Sequence, residues 1–232
     1  MHLVIANKLY SSWSMRPWLV MRAFDIPFEE TVIALKQPDT RELILEFSPS
    51  GKLPCLIDRD ADGERVRIWE SLAIIEYLAE TFPDKAIWPR NKTARAHARA
   101  IANEMHAGFQ ALRQACPMNL GKRFGTPALS PDTTAAIARL EELWRETRAR
   151  FGGVGPYLFG DFSAADAMYA PVATRLDTYS ITVAPETRAY MDAIFSHPAF
   201  RSWRQAALAE PWTIADYEAG FVPVEVYNRA RA

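Results

Sequence analysis

Cysteine is scarce in this chain: Cys55 and Cys116 are the only two in 232 residues. Two cysteines cannot make a disulfide scaffold, and the absence of any Cys-x-x-Cys leaves dithiol redox chemistry unsupported. Both thiols fit buried positions in a reducing compartment, so a cytoplasmic location is expected. Long apolar runs are missing too. Charges interrupt the hydrophobic positions throughout, and no segment approaches the ~20 apolar residues of a membrane span. The opening Met1-His2-Leu3-Val4-Ile5-Ala6-Asn7 lacks a basic stretch followed by a long apolar one, and reads as a strand rather than a signal peptide. Neither sign of charge dominates: Lys plus Arg is 27 and Asp plus Glu is 28, a formal net charge of −1. Without a basic surplus, no nucleic-acid partner is expected, and no membrane partner either. No Gly-x-Gly-x-x-Gly, Walker or Gly-x-Ser-x-Gly pattern is present, which removes the usual nucleotide and hydrolase signatures. His97 and His106 are nine positions apart (106 − 97), about 180° around an ideal helix, so they do not suggest a shared metal.

What is present is ample core material, 49% apolar residues, in two unlike halves. The first half alternates. Leu3–Ile5 is a short β-branched run, and the polar Ser11-Ser12-Trp13-Ser14 follows it. Leu19, Val20, Ala23 and Phe24 then share a helical face, with Pro17 suited to that helix's first turn. Phe28–Leu35 reads as a second strand, which makes a β-α-β unit with parallel strands. The stretch Gln37–Phe47 reads as a loop. Leu53–Ile57 and Val66–Trp69 read as a hairpin around the turn-rich Asp58–Glu64. Ser71–Thr81 carries Leu72, Ile75, Leu78 and Ala79 at helical spacing. Beyond the proline-interrupted Phe82–Pro89, strand signals nearly vanish and amphipathic helical segments cover roughly 93–116, 132–151, 163–178 and 187–209. The expected architecture is an α/β domain over 1–82, a linker over 83–92 and an all-helical domain over 93–232.

Three segments could carry chemistry. The serines between the first strand and its helix could donate a hydrogen bond to a bound thiolate and lower its pKa, or simply cap the helix. Leu53-Pro54 opens a strand. X–Pro bonds are cis in only about 5% of cases, so spacing alone favours a trans bond, while a cis one would free the Leu53 backbone for an extended peptide ligand. Glu70-Ser71 precedes a helix; Ser71 could cap it, or Glu70 and the Ser71 hydroxyl could meet the ammonium and carboxylate of one ligand. Ser163-Ala164-Ala165-Asp166 is a capping box with Asp as its acidic member, and reads as structural.

Taken in order, Ser11-Ser12-Trp13-Ser14-Met15-Arg16, Lys52-Leu53-Pro54-Cys55-Leu56 and Glu70–Leu78 resemble the glutathione transferase family, in particular its serine-type zeta class. Ile101–Glu104, Gly108–Leu112 and Gly160–Asp166 add to the resemblance, which runs the length of the chain but thins after residue 80. It implies a thioredoxin-like domain (βαβ-ββα) followed by a helical-bundle domain, glutathione as co-substrate, a small electrophile as second substrate, and a homodimer. By position, Ser11 matches the serine that activates the thiol, with Ser12 as the alternative. Trp13 and Arg16 fall within the same segment. The Leu53 backbone before a cis Pro54 would hold the cysteinyl part, and Glu70 with Ser71 the γ-glutamyl end. Lys52, or alternatively Lys36, would reach the glycine carboxylate. Gln110 matches a position near the ligand, and Glu104 one that contacts glutathione from the partner subunit. The electrophile would sit near Trp13, Met105 and Phe109. The zeta motif has cysteine where this chain has Trp13, which counts against the cis-trans isomerase activity of that class. The aromatic tail over 211–232 would either cover the pocket or pack on the helical domain.

Overall fold

The computed structural model describes residues 1–60 and 62–227. Its first unit is built on strand β1, His2–Ala6, whose Leu3, Val4 and Ile5 are all fully buried. A strand apolar on both faces belongs at the centre of a covered sheet. β1 pairs in parallel with β2 (Glu29–Ile33) on one side and antiparallel with β3 (Cys55–Arg59) on the other; β4 (Arg65–Trp69) completes the order β2-β1-β3-β4. Side chains alternate across the sheet. Leu3 and Ile5 join the core formed with helices α1 (Ser12–Ala23) and α3 (Ser71–Thr81), while Val4 packs with Ile33 and with Ile44 of helix α2 (Thr40–Phe47).

Helix α2 occupies the stretch expected to be a loop. It is only eight residues long, with Ile44 as its one fully buried side chain, which is too short a window for helical spacing to stand out in the sequence. Thr40 secures its start, donating its hydroxyl to the Ala34 carbonyl and accepting from the Gln37 N–H. Pro17 is not in the first turn of α1. Ser11 caps the helix, which makes Pro17 its sixth residue, where it has no N–H to give the Trp13 carbonyl.

A turn of 3₁₀ helix, Pro83–Lys85, leads to the helical unit: α4 (Lys92–Ala107), α5 (Gln110–Ala115), α6 (Pro131–Phe151), α7 (Ala164–Thr178), α8 (Pro185–Ser196) and α9 (Pro198–Ala209). Two segments expected to be continuous are broken. The 93–116 segment stops at Gly108, where a Cβ would lie 2.8 Å from the Glu104 carbonyl oxygen, and Phe109 turns into the left-handed region at φ 61°. The 187–209 segment stops at His197, held extended by the following proline. The unit is not purely helical either: β5 (Lys122–Phe124) and β6 (Pro223–Val226) form a small antiparallel ribbon. No helix among the described residues is long and apolar enough to cross a membrane.

Helix α7 runs through the middle of this unit and packs against both α1 and α4. Its capping box is complete: Asp166 accepts from the Ser163 N–H and hydroxyl, and also from the Leu158 N–H and the Tyr190 hydroxyl. The described part of the tail does both things expected of it. Phe221 packs on Phe124 and Tyr179, whereas Tyr217 reaches back to the first unit. The last five tail positions, 228–232, lie outside the described residues.

Candidate functional site

The carboxyl end of β1 leads into α1, and the chain brings two adjoining clefts together there. The smaller, about 360 Å³, is lined by Trp13, Lys52, Leu53, Pro54, Glu70 and Ser71, gathered from three separate segments. The Leu53–Pro54 bond is cis, not the trans bond that spacing alone favours. Glu70 adopts φ 69°, a sparsely populated conformation for a residue with a side chain, at the start of α3. Next to it the Ser71 hydroxyl is buried and has no hydrogen-bond partner among the described residues. A buried hydroxyl without a partner at a helix N-terminus is suited to a carboxylate.

The larger cleft, about 470 Å³, shares Trp13, Lys52 and Leu53 with the smaller one and adds Ser11, Ser12, Arg113, Arg175, Tyr10 and Tyr217. Trp13 therefore stands at the junction of the two. Its ring is stacked by Arg16 at 4.2 Å and Arg113 at 4.8 Å, and His106 meets it edge-on at 5.1 Å. His106 also lies 3.6 Å from the Glu70 carboxylate.

Three arginines set the electrostatics. Arg16 is fully buried, and none of its three side-chain nitrogens has a hydrogen-bond partner among the described residues. Burial, then Arg113 and Arg175, hold its pKa well below the ordinary arginine range. Burial and then Arg113 bring Arg175 down to about 10. Burial lowers Arg113 as well. Arg113 and Arg175 on the cleft wall, with Arg16 buried behind Trp13, concentrate positive charge around the serines, the kind of field that stabilises an anion.

Of the two serines, Ser11 caps α1: its oxygen accepts the Ser14 N–H at 3.2 Å and its hydroxyl donates to Ser14 Oγ at 2.9 Å. Ser12 Oγ accepts from Arg175 Nη2 at 3.1 Å. Arg16 lies behind Trp13 and is not on the cleft surface. Glu104 is engaged in a two-pronged pair with Arg139 at 2.9 and 3.2 Å, and Gln110 is exposed at the start of α5, outside the lining of either cleft. Lys36 pairs with Asp216 of the tail, while Lys52 lines both clefts. Met105 is buried in the core, and neither it nor Phe109 lines the larger cleft. Sequence reasoning missed Arg113 and Arg175, while Tyr217 belongs to the aromatic tail expected to cover the pocket or pack on the helical domain. Arg175 did leave a signal, as the one cation in the alanine-rich α7.

This combination of a thioredoxin-like sheet, a helical second unit and a cleft at the end of β1 has relatives. Residues 10–81 match the family description "Glutathione S-transferase, N-terminal domain", and residues 95–206 match "Glutathione S-transferase, C-terminal domain". The chain belongs to the glutathione S-transferase family. It is 28% identical over 186 residues to a probable maleylacetoacetate isomerase of Caenorhabditis elegans, covering 76% of this chain and 82% of that one. It is 24% identical over 187 residues to a stringent starvation protein A homolog of Haemophilus ducreyi, covering 78% and 80%. A glutathione transferase homolog from Burkholderia gl BGR1, solved with bound glutathione, shares the fold at a TM-score of 0.67 and 22% identity, covering 89% of this chain and 97% of that one.

Proposed function

We propose that the chain is a glutathione transferase in which the smaller cleft holds the tripeptide and the larger one a small electrophile. Residues 1–82 act as the glutathione-binding unit and 93–232 complete the electrophile pocket. The observation that carries this reading is the gathering of Lys52, Leu53, Pro54, Glu70 and Ser71 around one cleft that opens beside Ser11 and Ser12. Glu70 offers a carboxylate to an ammonium, and the Ser71 hydroxyl offers a donor to the adjoining carboxylate of the same γ-glutamyl group. The Leu53 backbone lies just before β3 pairing begins at Cys55, where it can meet an extended peptide. Lys52 reaches the far carboxylate. The Ser11–Ser12 pair, with the α1 N-terminus and the arginines behind it, stabilises the thiolate, and Trp13 and Tyr217 bound the space in which sulfur meets the electrophile. Closeness and a raised thiolate fraction supply the rate. A homodimer is part of the proposal.

The isomerases among the relatives support a second reading, reversible addition of the same thiolate to a cis double bond. Trp13 at the junction weighs against it by narrowing the approach. The stringent starvation protein A homologs point to a third, an interaction module. Calorimetric titration with reduced glutathione and an S-alkylated analogue separates these. Binding of both, with turnover of an electrophile, supports the transferase. Turnover of a cis-enol diacid alone supports the isomerase. If neither ligand binds, the enzyme readings fall and the interaction module stands.

A further inference from the structure

We propose that Ser12, rather than Ser11, donates the hydrogen bond to the glutathione thiolate, and that Arg175 of α7 is the positioning residue that aims it. The inference rests on the transferase reading above and names the working parts of the same site.

Each hydroxyl has one proton to give and two lone pairs. Ser11 has given its proton to Ser14 Oγ, and it accepts the Ser14 N–H as the α1 cap. Ser14 Oγ in turn accepts the Ala6 N–H at 3.0 Å, which ties the end of β1 to the start of α1. Turning the Ser11 proton toward a ligand would break into this chain of bonds. Ser12 is in the opposite position. It receives the Arg175 guanidinium on one lone pair at 3.1 Å, and its own proton has no acceptor among the described residues. Since Ser12 and Arg175 both line the larger cleft, an anion there is within the reach of that proton.

Arg175 is well built to hold the hydroxyl. Its Nη1 donates to the Cys116 carbonyl while its Nη2 donates to Ser12, so both arms of the planar fork are fixed. It stands on α7, whose side chains are almost all buried and whose start is set by the Ser163–Asp166 box. A donor held by a second fixed donor needs little reorganisation when charge appears on sulfur. In the step concerned, the S–H bond breaks, the pair stays on sulfur and the proton leaves to solvent. Ser12 keeps its proton and shares it with the sulfur as a hydrogen bond.

The test is the pH titration of enzyme-bound glutathione, followed by the ultraviolet absorbance of its thiolate. Ser12→Ala should raise the bound thiol's pKa by about one unit, a tenfold loss of thiolate below that pKa. Ser11→Ala should move it less, and Ser12→Thr, which keeps the hydroxyl, should restore most of the wild-type curve. Arg175→Met should shift the titration as Ser12→Ala does, and the double variant no further than the larger single one. Arg175→Lys, which keeps the charge but not the fork, gives the same reading if Arg175→Met fails to fold; a shift of more than half that of Ser12→Ala is expected. A larger shift in Ser11→Ala than in Ser12→Ala overturns the assignment. Equal Arg175 shifts with and without the Ser12 hydroxyl overturn the positioning role and leave Arg175 acting through its charge alone. A wild type that binds no glutathione removes the transferase reading itself, a different failure.

Discussion

Trp13 is clamped between Arg16 and Arg113, whose guanidinium carbons lie 4.2 and 4.8 Å from its ring centre on α1 and α5 respectively. The pair joins the two units of the chain through one indole. Replacing it removes two cation–π contacts, each worth about 1–2 kcal/mol when shielded from water. Trp13→Ala should therefore lower stability by about 2 kcal/mol, read from chemical denaturation, and raise the KM for glutathione. Trp13→Cys should widen the junction of the clefts, and the panel of electrophiles turned over should grow. An unchanged panel would show that the indole does not limit access.

Asp166 is the second point at which a small change should have a large effect. Four donors converge on its buried carboxylate, from Leu158, from Ser163 twice and from Tyr190. Burial pushes its pKa up to about 6, against the pull of those donors. Asp166→Ala leaves all four without an acceptor and should cost about 3 kcal/mol or more. Ser163→Ala removes one side-chain donor and one cap acceptor and should cost about 1 kcal/mol. Melting temperatures of the two variants would check the order.

Acid should weaken the fold through His197. Its Nδ1 accepts the Ala199 N–H at 3.2 Å at the start of α9, and its ring stacks on Phe162 at 4.2 Å. Burial lowers its pKa below the ordinary 6.5. The folded chain thus binds fewer protons at this site than the unfolded one. The stability it contributes is complete above 6.5 and is lost as pH falls from there through the folded pKa. Asp166, with a raised pKa, has the opposite sign and gives up its share as pH rises through about 6. His197→Asn keeps a capping acceptor without the titration, and should flatten the fall in melting temperature as pH drops below about 6.5.

The tail offers a contrast between two carboxylates. Lys36 and Asp216 pair at 3.1 Å, but both side chains are well exposed, 60% and 71%. Asp216→Asn should change stability by no more than about 0.5 kcal/mol. Glu218 is largely buried and accepts from Tyr10, Asn119 and Lys122. Burial would raise its pKa, yet the bonds from Lys122 and Tyr10 bring it below the ordinary carboxylate range. Because Tyr10 lines the larger cleft, Glu218→Ala should raise the KM for the electrophile and spare that for glutathione. Steady-state kinetics with each substrate varied in turn would separate the two.

Much of this was legible in the residues. β1 announces itself as a buried central strand, Ser71–Thr81 matches its helix end for end, and the three segments lining the smaller cleft stand out once taken in order. What escaped is what depends on distant partners. Helix α2 hides because its two turns, which meet the sheet through Ile44 and Phe47, are too short a window for helical spacing to stand out. The breaks at Gly108 and His197 turn on local backbone geometry inside otherwise helical composition. Arg175 meets Ser12 across 163 positions of chain, a distance over which no spacing rule speaks.

The turn after β1 depends on an even more distant part of the chain. Glu210 accepts the backbone N–H groups of Lys8 and Leu9 at 2.7 and 3.1 Å, and the Trp203 indole N–H donates to the Lys8 carbonyl at 3.0 Å. The segment that carries the serines is thus moulded by the end of α9. On the ribosome the first unit is synthesised long before that helix emerges, so the serine loop waits, incompletely supported, until residues 203–210 have been made. The loop reaches its final shape late in synthesis, and a shortened chain ending before residue 203 would carry the serines without the Trp203 and Glu210 contacts that set them.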